Sequence, residues 1–515
     1  MRLDHAGRSP QLVPYAQVFT RLRPPIQRQD HTRTGTPCAS GCITISLRIV
    51  QTFKRQCAID HVSFHRTGSI ARTIGQSQTI VHTSHPLHNQ AVIAAMQATC
   101  SLPRSCVLVI LVLSGCLTTA LSKSAQAAEP ETRWWKGNLH THSLWSDGDQ
   151  FPEMIADWYR ERDYNFVALT DHNVLSKGIR WMPYSAIVKR SDDGILDRYK
   201  ARFGNAWVET RGEPGTPEFA VRLKPLDEFR NLVEERNQFI MIPAEEISDR
   251  SEGKPVHINA TNVAEALKPA GGATVRETMQ NNLRAILEHE KSHGREVLPH
   301  LNHPNFGYAV TADDLAAVVS ERFFEVYNGH PGVNQLGDAT HPSVDSIWDT
   351  VNAIRRTALN VPPMMGIATD DSHEYHGQPG SRPGRGWVMV RSQYLTPEHL
   401  IRAMKRGDFY ASSGVTLKDV QYDAKTKELK LDIAPEDNVT FQTEFIATLK
   451  PDSTDNKDRI GKRVHVSKSL SPSYRLKGNE LYVRALVTSS KPHQDPSFKN
   501  QFQQAWTQPV GWEDD

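Results

Sequence analysis

Asn138-Leu139-His140-Thr141-His142-Ser143-Leu144-Trp145-Ser146-Asp147-Gly148 is the stretch on which the reading of this 515-residue chain turns. In an extended segment residues i and i+2 point the same way, so His140 and His142 can reach one ion together. Residues 143–148 then read as a loop that returns the Asp147 carboxylate towards a second ion. The pattern recurs downstream. Asn165-Phe166-Val167-Ala168-Leu169-Thr170 ends in Asp171-His172, and Phe239-Ile240-Met241-Ile242 leads into Glu245-Glu246, with His257 shortly after. Glu296-Val297-Leu298 leads into His300-Leu301-Asn302-His303-Pro304, and Met364-Met365-Gly366-Ile367-Ala368 into Asp370-Asp371-Ser372-His373. Polar ligand types at the carboxyl ends of successive buried strands are the pattern of an α/β barrel active site.

Taken singly, each fragment has a plain explanation: a His-x-His pair on a surface or in a core, or an Asp-containing turn closed by its own side chain. Five in succession, all at expected strand ends, supply more nitrogen and oxygen donors than one divalent ion can use. A multinuclear hydrolytic site follows. Mixed imidazole and carboxylate ligation suits Zn, Mn or Fe, and a thiolate site is excluded because all six cysteines (Cys38, Cys42, Cys57, Cys100, Cys106, Cys116) lie far upstream. Spacing alone leaves His300 against His303, Glu245 against Glu246, and Asp370 against Asp371 as open alternatives.

Residues 137–143 with Ser146-Asp147-Gly148, then Leu169-Thr170-Asp171-His172-Asn173, resemble the first two motifs of the polymerase-and-histidinol-phosphatase (PHP) superfamily of metal-dependent phosphoesterases. Glu246-Ile247, His303-Pro304 and Asp371-Ser372-His373 resemble its remaining motifs in the same order. Glu325-Val326-Tyr327-Asn328-Gly329, Gly386-Trp387, residues 409–414 and Ala505-Trp506 are similar to a branch containing secreted metallohydrolases and carbaryl-type carbamate hydrolases. The resemblance runs from Trp134 to the C-terminus. It implies a distorted seven-stranded β/α barrel with two or three divalent ions, and it does not fix the substrate. It further implies His140, His142, Glu246 and Asp371 on one ion, a bridging Glu246 with His257 and His303 on a second, and Asp147, His172 and His373 on a third. Glu246 and Asp371 are preferred over their neighbours because the family carboxylate precedes an aliphatic residue and the last motif is Asp-x-His. Two departures stand out: Ala244 where many relatives carry glycine, and the long stretch between His172 and Glu246.

The expected chemistry is metal-assisted hydrolysis at Glu246, Asp371 and His303 of a small anionic or ester substrate. Arg382 and Arg385, which follow the last metal motif, are expected either to clamp an anionic group or to lie in a solvated loop, with Asn302, His330 and His376 as candidate outer or leaving-group contacts. The alternatives are a carbamate, amide or carboxyl-ester hydrolase on the same site, or a surface protein that binds metal without turnover.

Net charge over the whole chain is +2, but residues 1–116 hold 12 of the 60 Lys and Arg and only 3 of the 58 Asp and Glu. The remainder has 48 basic against 55 acidic residues, a balance of −7 that argues against nucleic acid as partner. Residues 1–95 are acid-poor and aperiodic and are expected to be an over-extended reading frame or a disordered arm. Residues 96–127 have the form of a signal peptide: Arg104, the apolar run from Cys106 to Leu113, and Ala125-Gln126-Ala127 as a cleavage site. An exported protein, periplasmic or extracellular, follows. Leu113-Ser114-Gly115-Cys116 also resembles a lipoprotein box, in which Cys116 would carry the lipid anchor. Residues 128–413 are expected to form the barrel, interrupted by a helical insertion at 176–237 that begins at its catalytic end. Residues 414–515, with short alternating runs, are expected to form a small β-sandwich.

Overall fold

The computed structural model describes residues 129–451 and 457–513, so the expected upstream extension, signal peptide and Cys116 anchor lie outside the described residues. The strands are β1 (Arg133–Asn138), β2 (Phe166–Leu169), β3 (Arg180–Pro183), β4 (Thr210–Arg211), β5 (Ala220–Leu223), β6 (Ile240–Ser251), β7 (Lys254–Thr261), β8 (Leu298–Leu301), β9 (Phe323–Asn328), β10 (Met365–Thr369), β11 (Trp387–Ser392), β12 (Phe409–Ser412), β13 (Leu417–Asp423), β14 (Glu428–Ile433), β15 (Phe441–Leu449), β16 (Lys462–Ser467), β17 (Ser473–Arg475), β18 (Glu480–Pro492) and β19 (Phe502–Thr507). Thirteen of them form one sheet in the order β10-β9-β8-β7-β6-β2-β1-β11-β12-β19-β18-β15-β16. The architecture is mixed α/β with a large central sheet.

Strands β1, β2 and β6 run parallel, as do β8, β9 and β10. Residues of β2, β8, β9 and β10 are buried throughout, which is why their sequences are nearly continuous apolar runs. Between the two parallel sets, β6 and β7 make an antiparallel hairpin closed at Ser251↔Lys254. Its two-residue turn, Glu252-Gly253, has both φ values positive (53° and 76°), the backbone that matches strand twist.

The feature that positions the site is a change of polarity along one face. Trp135, Phe166, Ile242, Leu298, Phe323, Ile367 and Val388, from β1, β2, β6, β8, β9, β10 and β11, meet in one buried cluster. Side chains on a strand face recur every two residues. Two steps towards the carboxyl end, Ile242 and Ala244 give way to Glu246, Leu298 to His300, Phe323 to Glu325, and Ile367 to Thr369 and then Asp371. An apolar floor thus carries a polar layer.

Helices Pro152–Arg160, Val275–His293, Val344–Thr357 and Pro397–Arg406 lie between the strands in sequence. Thr274 caps Val275–His293 by accepting the Glu277 N–H, and Glu277 reaches back to the Ala273 N–H, one residue earlier than a standard capping box would.

The insertion differs from expectation. Besides helices Tyr184–Arg190, Ile195–Phe203 and Leu226–Val233, it holds an antiparallel sheet in the order β3-β5-β4. Val221 and Leu223 of β5 pack with Leu144, Trp145, Phe151 and Tyr199, burying the insertion's apolar face against the loop that carries Asp147.

Strands after Gly414, expected as an appended sandwich, divide between two sheets. β13-β14-β17 form a small one, whose Leu417, Leu429 and Ile433 pack against Phe445, Val483 and Ala485 of β15 and β18. The other four continue the main sheet through β12, where Tyr410 pairs with Thr507.

Candidate metal centre

His140 and His142 leave the end of β1 and are fully buried. His140 Nε2 lies 3.1 Å from Asp371 Oδ1 and 3.5 Å from Glu246 Oε1; His142 Nε2 lies 3.2 Å from Asp371 Oδ1 and 3.5 Å from Glu246 Oε2. Around the other side of Glu246, His257 Nδ1 approaches Oε1 to 3.0 Å and His303 Nε2 to 3.6 Å. A third group surrounds Asp147: His172 Nε2 at 3.3 Å, His373 Nε2 at 3.5 Å and His142 Nδ1 at 3.6 Å. The structure therefore brings the nine expected metal residues together: eight fall in three donor groups joined at Glu246 and His142, and Asp371 lies against His140 and His142.

These groups fit bound ions better than a hydrogen-bonded network. His140 Nε2, His142 Nε2, Glu246 Oε2 and His257 Nδ1 are buried without a directed hydrogen bond. Yet each has a polar atom of another cluster residue 2.6–3.2 Å away. Buried polar atoms are rarely left so. Atoms that point at a common centre, roughly 3 to 3.5 Å from one another, are what ligands about 2.0–2.2 Å from a shared ion present. His303 (φ 20°) and Asp371 (φ 49°) also hold positive φ, a costly backbone for residues with side chains and one that clusters at functional sites.

Electrostatics points the same way. Burial opposes a charge on Glu246, but His257, His172 and His140 hold its carboxyl well below the usual carboxylate range. Burial likewise opposes a proton on His140, which Asp371, Glu325 and Glu246 nevertheless push well above the ordinary imidazole value. His172 is pushed up to about 11 by Glu246 and Asp147 against its burial, while burial and then His373 push His142 down to about 3. Carboxylates stay charged, and protons sit where cations would.

The adjacent alternatives separate by side-chain direction. Glu245, on the opposite face of β6, accepts the Leu267 N–H at 2.6 Å. Asp370 accepts the backbone N–H groups of Gly384, Arg385 and Gly386 and the Tyr159 hydroxyl, holding a turn instead of facing the cluster. His300 lies deeper, 3.5 Å from Glu325.

The two arginines expected near an anionic group are engaged within the protein. Arg385 is buried and its guanidinium is consumed: Nη1 donates to the carbonyls of Gly329 (2.7 Å) and Gly380 (2.8 Å), and Nε and Nη2 to Asp495 (3.2 Å). Arg382 pairs with the same Asp495. Arg385 is a loop fastener in the structure, and Arg382 is tied to the same segment through Asp495. Their partner lies more than 100 residues downstream, beyond the reach of motif reading.

Several supporting residues were not selected from sequence. Glu325 accepts or shares hydrogen bonds with His140 Nδ1, His303 N, Asn328 Nδ2 and Thr369 Oγ1, all at 2.7 Å. It fixes one donor ring and the backbone of another, as outer carboxylates of metal sites do. A signal for it existed: a single acid inside the otherwise apolar Phe323–Asn328 strand must be paired. Asp171 fastens the Asp147 loop by accepting the Ser143 N–H (2.8 Å) and the hydroxyls of Ser143 and Ser146 (2.7 Å each). Asn302 donates to Glu246 Oε1 at 2.7 Å, as an outer contact should. His376 instead faces Arg198 (3.0 Å) and Asp192 (3.6 Å) of the insertion.

No family profile and no curated protein matches the sequence. Among solved structures, the chain is similar to a two-domain Bacteroides vulgatus protein containing a predicted PHP-like metal-dependent phosphoesterase, at 13% identity, 75% coverage of this chain, 98% of that one and TM-score 0.32. It is also similar to PsfC of Pseudomonas syringae (14%, 53% and 88%, TM-score 0.27) and to a candidate metal-dependent phosphoesterase of Bifidobacterium adolescentis (12%, 53% and 96%, TM-score 0.26). At such overlap the functional reading rests on this chain's own side chains.

Proposed function

We propose that the protein is a metal-dependent hydrolase of PHP type, a phosphoesterase that works at a di- or trinuclear site. The observation that carries the proposal is the set of three donor groups sharing Glu246 and His142, with buried donor atoms aimed at one another. Divalent ions bound there would polarise a phosphoryl or acyl oxygen and lower the pKa of water. The chain's own residues do the rest. Glu246 joins two donor groups, Asp371 faces His140 and His142, and Glu325 and Asn302 hold these groups in place. A closed seven-stranded barrel belongs to the same proposal, supported by the shared apolar cluster of β1 to β11.

A second reading, hydrolysis of an uncharged carbamate, amide or carboxyl ester, is favoured by one observation: Arg382 and Arg385 are engaged with Asp495 and backbone carbonyls. Metal-loaded protein tested on paired 4-nitrophenyl phosphate, carbamate and acetate separates the two. Metal-dependent turnover of the phosphate, abolished in Asp371→Asn with the fold intact, supports the first reading. Turnover of an uncharged ester alone supports the second, and full metal occupancy without turnover of any ester contradicts both.

Export belongs to the proposal on sequence grounds, from the apolar run at 106–113 and the Ala125-Gln126-Ala127 site. Mass spectrometry of the native amino terminus tests it: a start at Cys116 or Ala128 is expected, and peptides from residues 2–72 in the native protein would contradict the over-extended reading frame.

A further inference from the structure

Strand β9 ends beside the metal centre, where its Glu325 groups with His140 and His300, outside the three donor groups joined at Glu246 and His142. The loop that leaves its carboxyl end is closely fastened. Asn328 Oδ1 accepts the His330 backbone N–H at 2.7 Å, while Asn328 Nδ2 donates to Glu325 at 2.7 Å and to Asp371 at 3.2 Å. Gly329 O takes a hydrogen bond from the buried Arg385. The loop is thereby tied to a metal residue on one side and to the β10–β11 connection on the other.

Held this way, the His330 ring stands half-buried, its centroid 5.9 Å from that of His373 and 5.5 Å from that of Phe306, edge-on to both. The Gly332 backbone N–H donates to His330 Nδ1 at 2.9 Å. An imidazole nitrogen that accepts a hydrogen bond carries no proton, so in the neutral ring the proton is on Nε2. A side chain at 332 would disturb this contact, because a Cβ there would lie 2.9 Å from His330 Cε1 and Nδ1. Nε2 itself has no hydrogen-bond partner among the described residues.

We propose that His330 is a catalytic hydrogen-bond donor: its Nε2–H, fixed in that tautomer by Gly332, binds the substrate oxygen that gains negative charge as the phosphoryl or acyl centre is attacked. The assignment rests on the hydrolase reading above and adds to it a residue outside the metal set. The donor keeps its proton throughout; it is an electrostatic contact that strengthens in the transition state, and no bond to hydrogen is broken. Pre-oriented donors of this kind act without reorganisation when charge develops.

The test uses the full chain loaded with Zn. His330→Ala should lower kcat by about 100–1,000-fold with metal content unchanged. The same factor should appear for a 4-nitrophenyl and a phenyl ester, because the donor does not protonate the leaving group. His330→Gln, which retains an N–H, should recover part of the loss, and Gly332→Ala should lower kcat with metal content kept. Unchanged kcat in His330→Ala, loss of metal from it, or a defect that grows steeply with leaving-group pKa would each overturn the proposal. Histidine ¹⁵N NMR reads the tautomer without any substrate: His330, assigned by its absence in His330→Gln, should show a bare Nδ1 and a protonated Nε2. If wild type cleaves no ester, the hydrolase reading fails and the catalytic role of His330 fails with it; if wild type turns over but the spectrum places the proton on Nδ1, the donor assignment alone fails.

Discussion

Glu325 shows how one residue outside a donor set can govern it. Fully buried, it is stabilised as a carboxylate by His140 and His300 against the burial that opposes its charge. Glu325→Gln keeps the volume but loses the charge that orients His140, and should weaken metal binding about 10–100-fold, the usual cost of an outer-shell change. Equilibrium dialysis with Zn measures it, and an affinity within twofold of wild type would contradict the role. The pH dependence comes from the same charges. In the metal-free protein His140 and His172 have raised pKa values, so their protons stabilise the fold fully below the unfolded imidazole pKa, near 6.5, and that contribution is lost as pH rises through the raised values. Ligation requires the neutral rings, so ion binding at pH 7 must expel protons, and affinity must fall as pH is lowered. Calorimetric titrations in two buffers of different ionisation heat should give different apparent enthalpies; equal enthalpies would show that no proton leaves. At this scale the sequence disclosed the residue types of the centre but not every choice between neighbours. Glu245 and Glu246 are distinguished by which face of β6 turns inward, and Asp370 and Asp371 by a backbone turn with positive φ, neither of which periodicity records.

Elements whose pattern is local were the most legible. Helix Val275–His293 is one of them, because its Thr274 cap, first-turn Glu277 and the αL Gly294 at its end are all written within one segment. Thr274→Ala should cost about 1 kcal/mol, read as a lower urea midpoint with an unchanged slope; no change in midpoint would mean that the cap is redundant. The apolar runs ending in ligands were legible for the same reason, since β2, β8 and β10 bury both faces. The insertion sheet was not. β3 (Arg-Trp-Met-Pro) and the two-residue β4 are too short and too polar to show a period of two, and both are assembled on β5, which for β3 lies about 40 residues away. The partners of Arg385 were hidden for a related reason: its charge is visible in sequence, whereas its contacts with Gly329 and Asp495 are not.

Across the whole molecule, the sheet joins chemistry to its support. β18 and β19 complete the main sheet beside β12, and the buried Arg484 of β18 holds Asp349 of helix Val344–Thr357 through bonds of 2.9 and 2.7 Å. The helix that precedes the Asp371 strand is thus fastened by the C-terminal strands, a link between residues 349 and 484 that no local pattern contains. The mixed α/β class and the strand-end location of the ligands were legible because they follow from alternation and burial, while the order of strands depends on pairings between distant segments. The central claim is that one carboxylate, Glu246, unites a multinuclear centre. It is tested most directly by metal analysis of wild-type and Glu246→Gln protein after saturation and gel filtration. Two or three equivalents in wild type, with at least one lost in Glu246→Gln while its circular dichroism is unchanged, is the predicted result. One equivalent or none in wild type, or the same content in both proteins, would contradict it.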